Sequence, residues 1–132
     1  MTHMLPWKET ADLIETRSSF VIASHEEPDG DAVGSSIALA SLLSRKGKNV
    51  ILCSPGPFAR TEIAEYEDLF LPEAPPEFLH KEPVIMVLDA SSPERIGTFS
   101  ALAAEHVTIV IDHHASGAPF GTIRCVDSGA PS

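Results

Sequence analysis

Phe20-Val21-Ile22-Ala23-Ser24-His25-Glu26-Glu27-Pro28-Asp29-Gly30-Asp31-Ala32-Val33-Gly34-Ser35-Ser36 runs from apolar to polar and back to apolar. Residues 20–23 read as a short buried strand and the pattern from Val33 onward as a helix, so His25, Asp29 and Asp31 fall in a strand-to-helix loop. Loops of that kind carry chemistry in parallel sheets. Gly30 has no side chain and is expected to let the backbone turn tightly, so that both aspartates face one cavity and His25 adds a nitrogen to it. Taken alone, Pro28-Asp29-Gly30-Asp31 is equally an ordinary surface turn. The rest of the chain has to decide between the two.

Working outward, Pro6 suits the first turn of a helix in which Trp7, Ala11, Leu13 and Ile14 form an apolar stripe, with Ser18 and Ser19 ending it. The helix after the loop is expected over residues 33–46, with Ile37, Ala40 and Leu43 apolar and Gly47 as its stop signal. The small residues Gly34, Ser35, Ser36 and Ala38 allow close approach at its start, either for packing on the sheet or for an anion at free N–H groups. Residues 49–53 form a second strand. The turn-rich Ser54-Pro55-Gly56-Pro57 follows, then an acidic amphipathic segment with Ile63, Ala64, Leu69 and Phe70, read as a helix. Four prolines between residues 71 and 83 argue for an irregular connection.

Residues 84–88 form a third strand ending at Asp89, and Pro93 opens a helix with Ile96, Phe99, Leu102 and Ala103 on one face. A fourth strand over residues 107–111 ends at Asp112-His113-His114, and residues 122–126 offer a short fifth. Strands alternating with helices give an α/β fold with a parallel sheet covered on both faces, because parallel neighbours need a crossover. All carboxyl ends of such a sheet share one edge, which gathers His25, Asp29, Asp31, Asp89, Asp112, His113 and His114 into one crevice. Strand two ends at Ser54 with no ionisable residue, as expected of a strand outside the active set.

Four carboxylates and three imidazoles in one crevice need cations between them. The mixed oxygen and nitrogen donor set suits manganese, iron or cobalt, with manganese the expected ion, rather than an all-oxygen magnesium or calcium site. There are more ligands than one octahedral ion takes, so two divalent ions are expected, which at ~3.5–4 Å apart activate water for phosphoryl displacement. Each residue also has a structural role open to it. Asp89 can cap the following helix, His113 and His114 can be loop residues, and Asp127 reads as a turn residue. His3, His80 and His106 have no acidic company at a strand end and read as surface or packing residues. Three coincidences on one sheet edge favour the metal site.

At 132 residues the chain has room for one domain with a real core. Cys53 and Cys125 sit in apolar runs and read as reduced core residues. No stretch approaches the ~20 apolar residues of a membrane span and no leader pattern opens the chain, so a cytoplasmic protein without membrane partners is expected. Nineteen acids against nine bases, a net charge of −10, argue against gripping long duplex nucleic acid. Bound cations would reverse the sign locally. The acids from Glu62 to Glu82 read as a solvated face.

These motifs resemble the Asp-His-His (DHH) phosphoesterases over nearly the whole chain. The first, His-x-x-x-Asp-x-Asp-x-x-Gly-Ser, runs from His25 to Ser35; the second is Asp89 in Asp89-Ala90-Ser91-Ser92-Pro93-Glu94-Arg95; the third is Asp112-His113-His114. The resemblance implies a five-stranded parallel sheet of order 2-1-3-4-5. It also implies that His25 and Asp29 bind one manganese, Asp31 and His113 the other, and Asp89 both. Catalytic roles fall to Asp112, which orients His113, and to His114, which contacts substrate phosphate.

The chain looks most similar to the branch of nanoRNases, 3′-phosphoadenosine 5′-phosphate phosphatases and cyclic-dinucleotide phosphodiesterases. The partners implied are short RNA oligonucleotides or phosphorylated nucleotides, and a homo-oligomer is compatible with the sequence. An inorganic pyrophosphatase and a non-catalytic nucleotide-sensing module are the alternatives. The family's fourth motif and smaller C-terminal substrate domain have no counterpart here, so residues 1–132 are expected to be a truncated catalytic domain, weak or inactive by itself.

Overall fold

Strand β1 (Ser19–Ala23) is buried along its whole length, as a strand must be when helices cover both faces of its sheet. In the computed structural model, which describes residues 7–26, 28–88, 99–112 and 123–126, it pairs in parallel with β2 (Asn49–Cys53) on one side and β3 (Val84–Leu88) on the other. β4 (Thr108–Asp112) follows β3 and β5 (Ile123–Val126) closes the far edge, both parallel. The order β2-β1-β3-β4-β5 is the one expected.

Side chains alternate between the two faces of this sheet. Phe20, Ile22, Val84, Met86, Leu88 and Ile109 share one layer with Leu13 and Ile14 of α1 (Trp7–Thr16) and Leu39, Ala40 and Leu43 of α2 (Gly30–Arg45). Val21, Ala23, Ile85, Val87 and Val110 face the other, under Phe99, Leu102 and Ala103 of α4 (Phe99–Glu105). Each large side chain so buried contributes about 1.5–3 kcal/mol. Thr108 fastens α4 to β4, its hydroxyl donating to the carbonyls of Ala103 (2.8 Å) and His106 (3.0 Å).

Helix α2 ends as expected at Gly47, whose φ of +80° is open to glycine at little cost. Gly47 N–H donates to Ser44 O at 3.0 Å and Lys48 N–H to Leu43 O at 3.1 Å, the paired bonds of a Schellman cap. A Cβ on Gly47 would meet no atom within 4 Å, so only backbone strain opposes one. Gly47→Ala is expected to cost about 1 kcal/mol, read as a lower denaturant midpoint with unchanged slope.

Two connections differ from expectation. The acidic segment forms only a 3₁₀ turn, Ala64–Leu69, with none of its own residues buried; Leu69 is 54% exposed. Its anchors are the flanking Ile63 and Phe70, which join Phe58 and Val33 in a small cluster beside Ile37 and Leu52. The proline-rich connection contains a short helix, α3 (Pro76–Leu79), that buries Phe78. Proline disfavours helix interiors, but Pro76 stands at the first helical position, where no N–H is needed.

Smaller differences are that Ala11 is exposed and that the fourth strand lies one residue later than read. The expected helical residues at Pro6 and from Pro93 to Thr98 lie outside the described residues. Among the described residues no helix is long and apolar enough to cross a membrane. Cys53 and Cys125 lie on opposite edge strands, four strand spacings or roughly 19 Å apart, too far for a disulfide. Cys53 is free, and burial pushes its thiol up to about 12.

Candidate metal centre

The chain leaves β1 through α2 toward β2, whereas β3 lies on β1's other side and leads on to β4. α2 covers one face and α4 the other. The topological switch point, where doubly wound sheets bind ligands, therefore lies at the carboxyl ends of β1 and β3. Register places Ala23 opposite Val87 and Leu88 opposite Ile111, so the ends of β1, β3 and β4 stand side by side.

His25, two residues beyond β1, is 3% exposed. Its Nδ1 lies 2.6 Å from Glu26 O. A carbonyl oxygen only accepts, so Nδ1 carries the proton of this bond, and a metal bond from this ring would have to come from Nε2. A ring oriented through its other nitrogen is the usual state of a metal-ligating histidine.

Asp29 is the N-cap of α2, in extended conformation, its carboxylate accepting from Ala32 N–H at 2.9 Å. The helix consequently starts at Gly30, earlier than the residue patterns suggest, and Asp31 sits in its first turn. Asp29 is half-buried and Asp31 exposed. Both carboxylates also benefit from the positive end of the helix, worth about 0.3–1 kcal/mol each. Gly30 has no positive φ, and a Cβ there meets nothing within 4 Å, so the cap and not glycine's freedom makes the turn. Gly34 is exposed and equally open, which removes packing on the sheet as its reason; Ser36 is the buried residue of that group.

Asp89, His113 and His114 lie outside the described residues. Asp112 is the last residue of β4. Among the described residues no three His, Cys, Asp or Glu side chains are grouped closely enough to hold a metal ion. The donors that are described, one imidazole and two carboxylates at a helix N-terminus, are of types that suit a divalent cation. Ser24 Oγ, next to His25, and Ser36 Oγ are buried with no hydrogen-bond partner among the described residues, although such groups are ordinarily paired. Of the histidines read as structural, His106 bonds Leu102 O through Nδ1 at 3.1 Å and His80 caps α3.

Ser54 was not expected to take part. Its buried hydroxyl donates to His25 O at 3.3 Å, reaching the loop from the end of β2. A serine after a strand gives no sign of a partner so far back in the chain.

Among known proteins, the bifunctional oligoribonuclease and PAP phosphatase NrnA of Thermus thermophilus is 35% identical over 109 residues, covering 80% of this chain and 31% of the relative. The cyclic-di-AMP phosphodiesterase GdpP of Bacillus subtilis is 25% identical over 121 residues, 83% of this chain and 18% of the relative. The crystal structure of an exopolyphosphatase-related protein from Bacteroides fragilis matches with a TM-score of 0.79 at 29% identity, covering 100% of this chain and 42% of that one. The chain thus spans less than a third of the length of either named enzyme. The DHH family, N-terminal domain, matches residues 19–131, and the chain belongs to that family.

Proposed function

We propose that this chain is the metal-binding domain of a phosphoesterase that uses two divalent cations, manganese by its donor set, to hydrolyse short oligoribonucleotides or 3′-phosphoadenosine 5′-phosphate. The observation that carries this reading is His25, buried just beyond β1 with Nδ1 tied to Glu26 O, in the same strand-to-helix connection as the two aspartates at the start of α2. His25 and Asp29 would hold one cation, Asp31 and His113 the other, and Asp89 both. Asp112 orients His113, and His114 meets the substrate phosphate.

When bound, the cations supply an activated water and neutralise charge on the phosphoryl group. The net charge of −10 disfavours long duplexes and is compatible with small phosphorylated substrates that meet the protein at its cations. NrnA and GdpP, by their names, act on oligoribonucleotides, PAP or a cyclic dinucleotide, and support the same substrate class. The buried, reduced Cys53 suits a cytoplasmic protein.

The test is hydrolysis by the full-length gene product of a 5′-phosphorylated dinucleotide, 3′-phosphoadenosine 5′-phosphate and inorganic pyrophosphate, with manganese and with chelator. Manganese-dependent cleavage of at least one of the two nucleotides is expected. Cleavage of pyrophosphate alone, or of nothing, would overturn the proposal.

A further inference from the structure

We propose that Ser54 is a positioning residue that holds the main chain of His25 in place for metal binding; this rests on reading His25 as a ligand. The parallel ladder between β1 and β2 has a fixed rhythm. Asn49 N–H donates to Ser18 O at 2.8 Å, and at the other end Ser24 N–H donates to Cys53 O at 2.9 Å. The next rung in that rhythm would run from residue 55 to Ser24 O, but Pro55 has no N–H. The ladder therefore stops just before His25.

Ser54 replaces the missing rung with a side chain. Its hydroxyl is the donor to His25 O at 3.3 Å and the acceptor from Gly56 N–H at 3.1 Å, which fixes where the hydroxyl proton points. Its own N–H donates to Leu71 O at 3.0 Å, and Leu71 N–H donates to Leu52 O at 2.8 Å, so the serine is itself clamped. At 3% exposure it has little competition from water. His25 is thereby held at two points, its ring through Glu26 O and its main chain through Ser54. Groups that orient a ligand in this way typically alter metal affinity by about 10–100-fold when removed.

The experiment is manganese titration of the full-length gene product and its variants, with the two sites resolved by calorimetry. Ser54→Ala is expected to weaken one site about 10-fold and leave the other unchanged, whereas general loosening of the fold would weaken both. Ser54→Thr keeps the hydroxyl and should bind within about threefold of wild type. Ser54→Cys has nearly the same shape but a poor donor, and should resemble Ser54→Ala; it decides the question if the alanine variant does not fold.

Wild-type affinity in Ser54→Ala or Ser54→Cys, or equal weakening of both sites, would overturn the proposal. His25→Ala separates this from the reading beneath it. Unchanged manganese binding in His25→Ala would remove His25 as a ligand, while loss in His25→Ala with none in the Ser54 variants would remove only the role of Ser54.

Discussion

Asp89→Asn in the full-length gene product is expected to lower manganese-dependent hydrolysis by on the order of 10³-fold, about 4 kcal/mol of transition-state stabilisation. Among the proposed ligands, Asp89 alone serves both cations. The amide keeps the size of the carboxylate and removes its charge, so both cations are held less tightly and neither is correctly placed for the phosphoryl group. Folding should survive, because the preceding strand β3 is anchored by buried Val84, Ile85, Met86, Val87 and Leu88. Turnover at saturating manganese, with a thermal midpoint for each protein, checks both halves. Full activity in the variant would remove the bridging role, and a collapsed midpoint would place Asp89 in the fold rather than the site.

Asp29 permits a sharper separation, since its carboxylate is both the N-cap of α2 and a proposed ligand. Asparagine caps a helix about as well as aspartate, so Asp29→Asn should stay within about 0.5 kcal/mol of wild type in stability. Losing the charge should nevertheless lower manganese-dependent turnover by on the order of 10²-fold. Asp29→Ala loses the cap as well and should show the same catalytic loss plus about 1 kcal/mol of destabilisation. If Asp29 only caps the helix, Asp29→Asn will be as active as wild type, and urea melts with rate measurements on the two variants distinguish the cases.

The strands were legible because apolar runs such as Val84-Ile85-Met86-Val87-Leu88 admit little else between turn signals, and their alternation with helices dictates parallel pairing. The start of α2 is ambiguous in the sequence because Asp and Gly serve turns and helix caps alike; the bond from Ala32 N–H to Asp29 is a three-dimensional fact. The four-residue α3 is not legible in the sequence because proline content marks a breaker without marking which proline begins a turn of helix.

For the proposed site, the motifs nominate residues, and the strand order brings the ends of β1, β3 and β4 to one edge. The Ser54 bond to His25 spans 29 residues, beyond any local pattern. The same holds for the tautomer of His25, which depends on a carbonyl 2.6 Å from the ring.

If the carboxyl ends of β1, β3 and β4 build one centre for two cations, anomalous scattering from crystals of the full-length gene product grown with manganese will show it most directly. Two manganese peaks are predicted, one against His25 and Asp29, the other against Asp31 and His113, with Asp89 touching both. Peaks elsewhere on the molecule, or a single peak that leaves His25 Nε2 and Asp89 without metal, would contradict it.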